Sequence, residues 1–247
     1  MISKFFTGSN LPVPAVTTEE MIEIDRIAVE ETGPNLFQMM ENAGRNLALS
    51  AIDILGKKWQ SAKIIVLCGT GGNGGGGICA ARHLANRNID VKICITDINK
   101  LKPVTLFQKK VFNSTKGAQI EIEELQKQKP DLIIDAIIGY SLKVAPTGNS
   151  LKMINWVNNL DRKILSLDVP SGVNTNDGST PGEYIKTDRT LTLALPKTGL
   201  LPDLTGELFL ADIGIPFETY SKMNINYQNP FGNKFIVKLS HRKNSVH

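Results

Sequence analysis

The sequence predicts an α/β protein in which helices cover both faces of a mostly parallel central sheet. From about residue 63 onward, short apolar runs of strand length alternate with amphipathic stretches of helix length. A glycine-rich loop joins one of these runs to the helix that follows it. The 247 residues, 41% of them hydrophobic, are enough for one large domain with a full core.

Taken in order, Thr17 and Glu20 match a capping box, and Met21, Ile24, Ile27 and Ala28 then recur at helical spacing. A helix is expected over 18–31, ended by Gly33. Pro34 stands where a first helical residue is tolerated, and Leu36, Met39, Met40, Ala43, Leu47 and Ile52 carry a second helix to about residue 55. Two helices are thus expected ahead of the first strand. Strands are expected over 64–68, 91–96, 119–122, 132–136 and 164–167, interleaved with helices over 75–88, 103–115 and 150–160. Parallel strands need crossover connections, and these are right-handed, which lays helices on both faces. The runs 190–195 and 207–211 have little helix between them and are expected to extend the sheet at one edge.

A net charge of +4 lacks the basic excess of a dedicated nucleic-acid binder, and no nucleic-acid partner is expected. Basic character gathers at the end, in Lys234, Lys238, His241, Arg242, Lys243 and His247. Residues 221–247 are therefore expected to form a solvated, partly disordered tail beside a domain spanning 1–220. Cys68, Cys79 and Cys94 form no CxxC pair and lie in apolar stretches, the pattern of buried, reduced thiols in a cytoplasmic protein. The first sixteen residues are broken by Lys4, Gly8, Asn10, Pro12 and Pro14, so no signal peptide is expected, and no run has the length to span a bilayer.

The loop Gly69-Thr-Gly-Gly-Asn-Gly-Gly-Gly-Gly77 follows an expected strand and opens the helix carrying Ile78, Ala81 and Leu84. Glycines there let the backbone approach an anion or adopt positive φ, and the N–H groups and dipole of a helix start favour phosphate. A tight, exposed strand-to-helix turn is the alternative. The spacing Gly69-x-Gly71-x-x-Gly74, with Asp97 beyond the next strand, satisfies the dinucleotide fingerprint and raises the reading of a nicotinamide-dependent dehydrogenase. No lysine follows in the pattern of a nucleoside triphosphatase loop.

Ligands of doubly wound sheets bind beyond the carboxyl ends of the strands, which singles out Asp135 and Asp168. A carboxylate in an apolar strand needs a cation, a hydrogen-bonded turn or a substrate as partner. Pro170-Ser-Gly172, after Asp168, offers oxygen ligands suited to a hard cation. His83 and the three cysteines have no recognisable metal-binding spacing.

Met40-Glu-Asn-Ala-Gly44, the glycine loop with Ala81-Arg-His-Leu84, Asp135-Ala-Ile-Ile-Gly139, Asp168-Val-Pro-Ser-Gly172, Thr190-Leu-Thr192, Lys197-x-Gly199 and Ala211-Asp-Ile-Gly-Ile-Pro216 occur in that order. This series, covering about residues 16–217, resembles the NAD(P)H-hydrate epimerase family, also known by its YjeF N-terminal-type domain. The resemblance implies a Rossmann-like three-layer αβα sandwich, a homodimer, and interconversion of the R and S epimers of hydrated NADH and NADPH. It also implies coupling to a separate dehydratase, for which the remaining residues leave no room. Carried over by position, Gly71, Gly72, Asn73, Gly74 and Gly75 contact substrate, as do Gly139, Tyr140, Ser141, Leu142, Lys143, Val144 and Ala145. Asn73, Asp135 and Ser171 match potassium ligands, and Asp168 matches the acid placed against the hydrated ring, where it is the expected catalytic and substrate-binding residue.

The family loop usually has asparagine where this chain has Gly72 and aspartate where it has Gly76, and Ser141 stands where glycine is common. Losing the asparagine deletes a substrate contact, whereas an aspartate at a helix start would cap N–H groups. Two other readings accompany the epimerase: a ligand-binding or scaffold protein that keeps the fold, and the dehydrogenase, which would need a further substrate-binding region.

Overall fold

The computed structural model describes residues 4–242. The chain opens with two short strands, β1 (Lys4–Thr7) and β2 (Pro12–Val13), and then enters α1 (Thr18–Ile27). The expected capping box is present: the Glu20 N–H donates to Thr17 Oγ1 at 3.2 Å, and the Thr17 N–H donates to Glu20 Oε2 at 2.7 Å. A π turn, Ala28–Thr32, carries the helix on to Gly33. In α2 (Leu36–Leu55) the cap is Asn35 rather than Pro34, because the Asn35 side chain accepts from the Gln38 N–H at 3.0 Å and the Gln38 side chain returns the bond. Pro34 lies outside the helix.

The alternating region follows as β3 (Lys63–Cys68), α3 (Gly72–Ala85), β4 (Asp90–Ile95), α4 (Pro103–Phe112), β5 (Ala118–Ile120), β6 (Leu132–Ala136), α5 (Gly148–Asn158), β7 (Lys163–Leu167) and β8 (Arg189–Leu193). Then come α6 (Pro202–Thr205), β9 (Glu207–Ala211), α7 (Phe217–Lys222) and β10 (Ile236–Arg242).

All ten strands join one sheet in the order β2-β1-β10-β9-β8-β7-β6-β3-β4-β5. From β5 across to β9 every pairing is parallel. The chain winds outward from β3 in both directions, so the crevice beyond the carboxyl ends of β3 and β6 is the topological switch point. Both faces are covered. Ile64, Val66 and Cys68 of β3 pack with α2 and α3, while Ile65 and Leu67 pack with Met153 and Val157 of α5. That two-sided burial is why β3 reads as one continuous apolar run.

The basic end is a strand, not a solvated tail. β10 pairs antiparallel with β9, Ile236 opposite Ala211, and antiparallel with β1, Phe5 opposite His241. Lys238 is on its exposed face: Nζ meets Glu207 Oε1 at 2.6 Å and lies 5.8 Å over the Phe209 ring, so the lysine stem covers apolar surface while its charge stays in water. Lys243 and His247 lie outside the described residues.

Candidate active site

The glycine loop does its work by closeness of approach. α3 begins at Gly72, three residues ahead of the expected start, and none of the loop glycines has positive φ. A Cβ on Gly69 would sit 1.9 Å from the Ile137 carbonyl oxygen, and one on Gly74 would sit 1.9 Å from the Gly69 carbonyl oxygen. The first contact presses the loop against the segment leaving β6, and the second folds the start of α3 tightly onto the loop itself. Gly71 caps α3 without a side chain, so the first N–H groups of the helix have no side-chain acceptor and the dipole favours an anion there.

A cavity of about 440 Å³ opens at this point, in the size class of small-molecule sites. Gly71, Gly72 and Asn73 line it on one side and Gly139, Tyr140 and Ser141 on another. Gly74 and Gly75 are buried behind the lining, Gly75 against Met40. Leu142, Lys143, Val144 and Ala145 lie outside the lining, and Val144 is 72% exposed.

Asp135 lies beneath the cavity and is fully buried. Its Oδ1 accepts from Ser171 Oγ at 2.5 Å and from the Ile137 N–H at 3.2 Å. Its Oδ2 accepts from Ser166 Oγ at 2.8 Å and from the Ser171 N–H at 2.9 Å. No cationic side chain pairs with it among the described residues. Burial pushes its carboxyl above the ordinary range, against those hydrogen bonds, which pull the other way. Asn73 packs on Gly139, and among the described residues its buried side-chain nitrogen has no partner; with the amide turned over, an oxygen occupies that place.

Asp168 has the opposite electrostatics. Lys197, 1% exposed, reaches Asp168 Oδ1 at 2.5 Å and the Leu193 carbonyl at 2.9 Å. The same Oδ1 accepts from Thr192 Oγ1 at 3.3 Å and the Leu193 N–H at 3.2 Å. Among the described residues no protein group donates to Oδ2, and Asp168 lines the cavity. The backbone of Asp168 stands at φ +66°, a left-handed conformation that costs a non-glycine residue about 1 kcal/mol or more and concentrates at functional sites.

Lys197 and Asp25 are members of this cavity that the reading of the sequence did not assign. Tyr140 donates its hydroxyl to Asp25 Oδ2 at 2.6 Å. The signal was available, since Met21, Ile24, Asp25 and Ala28 share one face of α1 and Asp25 is the charged member of an otherwise apolar stripe. Lys197 stands in a motif quoted above, but a lone lysine in a loop carries no periodicity to mark it as buried.

Asp97 is not a lining residue. It caps the turn after β4, accepting from the Asn99 N–H at 3.0 Å, and pairs with Lys100 at 3.1 Å. His83 acquires neighbours the spacing did not reveal: Glu41, Cys79 and His83 bring ligand atoms within 4.8 Å of one another. Arg82 already supplies the positive charge there, donating to Glu41 and, at 3.3 Å, to Cys79 Sγ. Burial pushes the Cys79 thiol up to about 12. All three cysteines are free and buried.

The family model for the YjeF-related protein N-terminus matches residues 36–199. The chain belongs to this YjeF-related family. The NAD(P)H-hydrate epimerase of Dehalogenimonas lykanthroporepellens is 47% identical over 241 residues, covering 97% of this chain and 98% of that protein. The bifunctional NAD(P)H-hydrate repair enzyme Nnr of Moorella thermoacetica is 33% identical over 85% of this chain, which spans 42% of that protein. The yeast protein ynu0 has the same fold, with a TM-score of 0.74 at 23% identity over 92% of this chain and all of its own.

Set against the usual YjeF-related loop, the two glycine departures differ physically. A Cβ on Gly72 meets nothing within 4 Å, whereas one on Gly76 lies 2.8 Å from Leu167 Cδ2. Gly76 is also inside α3 rather than at its start, so an aspartate there would not serve as the cap. No helix among the described residues is long and apolar enough to cross a membrane.

Proposed function

We infer that this protein is an isomerase, an NAD(P)H-hydrate epimerase that interconverts the R and S forms of hydrated NADH and NADPH and so serves metabolite repair. The observation that carries the mechanism is Asp168, fixed on one oxygen by buried Lys197 and open on the other toward the cavity. The full-length likeness to the Dehalogenimonas epimerase supports the activity.

In the dihydropyridine ring the double bond next to nitrogen is an enamine, so water adds with its hydroxyl on the carbon beside that nitrogen. Inversion there requires the hydroxyl to leave and return on the other face, or the ring to open and reclose. Both routes need a proton carried to or from oxygen by a positioned group, a role that fits the free Oδ2 of Asp168. The open N–H groups at the start of α3 suit the substrate's phosphates, with Lys102 at the cavity wall adding positive charge. Gly72, Asn73, Gly139, Tyr140 and Ser141 complete the enclosure.

The residues also suit a potassium ion. Asn73 and Ser171 supply neutral oxygens, and Asp135 supplies a buried charge that lacks a cationic partner. Bound there, potassium would neutralise Asp135 and hold the two substrate loops in register. The same reading places the enzyme in the cytoplasm as a homodimer, working with a dehydratase that consumes the S epimer. Its solvent-facing rings, such as the Phe37–Phe107 edge-to-face pair, suit contact with a second copy.

The test is an epimer assay: hydrated NADH is treated with excess S-specific dehydratase, and the protein is added to the leftover R form. Faster consumption of R than in the uncatalysed blank is expected. An unchanged rate, with and without potassium, rules the activity out.

A further inference from the structure

We propose that Asp25 is the second proton-carrying group of the epimerisation, paired with Asp168 and positioned by Tyr140. This rests on the epimerase reading above. Asp25 and Asp168 line the same cavity, yet their partners differ in kind. Asp168 is ion-paired with the buried Lys197 ammonium through Oδ1, and among the described residues nothing donates to its Oδ2. Asp25 has only the neutral Tyr140 hydroxyl, at 2.6 Å on Oδ2, and among the described residues nothing donates to its Oδ1.

The groups facing Asp25 come from four segments: Tyr140 after β6, Asp168 after β7, Lys197 after β8, and Tyr220 on α7. Burial raises the Asp25 carboxyl and the charge of Asp168 raises it further, while the Tyr140 hydrogen bond and Lys197 oppose both. Burial, with the charge of Asp25 beside it, pushes the Tyr140 phenol up as well, so Tyr140 stays a neutral donor. One carboxyl held by a neutral hydroxyl and a second paired with a lysine, both lining one cavity, put a candidate acid beside a candidate base.

The step balances as follows. The Asp25 carboxylic acid gives its proton to the ring hydroxyl as the C–O bond breaks, and both bonding electrons leave with oxygen as water. The lone pair on the ring nitrogen forms a C=N bond. A water then adds to the other face of that carbon, the C=N π pair returns to nitrogen, and the surplus proton passes to Asp168. One water leaves and one enters. The net proton moved from Asp25 to Asp168 returns through cavity water, and the reverse epimerisation starts from the other protonation state of the pair.

The experiment is the pH dependence of R-to-S exchange, with the uncatalysed rate subtracted, for the parent, Asp25→Asn, Asp25→Glu and Tyr140→Phe. The parent is expected to lose rate on the alkaline side as Asp25 ionises. In Asp25→Asn, kcat should fall about 100-fold or more, with little change in KM and no alkaline limb. Asp25→Glu should restore the limb. Tyr140→Phe removes a donor to the ionised form, which raises the Asp25 pKa, so the limb should move to higher pH. A folded Asp25→Asn protein, by thermal melt, that keeps the parent's kcat and pH profile overturns the proposal while leaving the epimerase reading intact. A parent without exchange activity overturns both.

Discussion

Asp135 is on β6 and Asp168 directly follows the neighbouring strand β7; both are buried, but they are held in opposite ways. Asp135 has both oxygens occupied by neutral donors and, among the described residues, no cationic side chain beside it. Asp168 has a cation beside it and one oxygen left over. A carboxylate with saturated oxygens and unbalanced charge is a fixed anchor that attracts a cation from outside. A carboxylate with balanced charge and an open oxygen is available for chemistry. On the function proposed above, the two aspartates divide holding from reacting.

The largest expected effect breaks this contrast on the Asp168 side. Asp168→Asn leaves Lys197 charged and unpaired in the interior, and removing one partner of a buried pair costs about 3 to 5 kcal/mol. Urea unfolding should show that loss, and epimer exchange should fall by about 100-fold or more. Adding Lys197→Met should return much of the stability and none of the activity. A double variant as unstable as Asp168→Asn would mean that the charge of Lys197 is not the cause. A single variant with parental exchange would remove Asp168 from the reaction.

The parallel sheet was legible in the sequence because its strands are buried on both faces and read as unbroken apolar runs; β6 was placed to the residue. β1, β2 and β10 were not, since β1 and β2 are very short and β10 carries its lysine, Lys238, on a solvent face among other basic residues, so that composition resembled a tail. Among the site residues, Asp135 and Asp168 stood out because each interrupts or ends an apolar strand. Lys197 and Asp25 join them only through tertiary approach, from a loop and a helix face that sequence spacing does not link to the sheet. The glycines marked the right loop, but none adopts the positive φ that was one of the reasons expected for them, and the close approach of Gly69 to Ile137 leaves no local mark in the sequence.

On the Asp135 side the expected effect is smaller and depends on ions. Asp135→Asn keeps the shape but turns its amide N–H toward either the Ile137 N–H on one side or the Ser171 N–H on the other, at a cost of about 1 to 3 kcal/mol. Potassium chloride should raise the melting temperature of the parent relative to tetramethylammonium chloride at equal ionic strength, by linkage to binding, and should not do so in Asp135→Asn. An identical response in the two proteins would detach the cation from Asp135.

The smallest effect comes from Gly72, which separates binding from both roles. Gly72 lines the cavity at the first turn of α3, and a Cβ there meets nothing within 4 Å, so Gly72→Asn restores the usual family side chain without displacing a neighbour. Stability should stay within about 0.5 kcal/mol of the parent. One added hydrogen bond to substrate, worth about 0.5 to 1.5 kcal/mol, should lower KM about 2- to 10-fold. If the new amide contacts substrate away from the reacting ring, kcat should hold, the signature of binding that substrate and transition state share equally. A change in kcat with KM constant would instead place this turn of α3 against the reacting ring, and the phosphates would have to lie elsewhere.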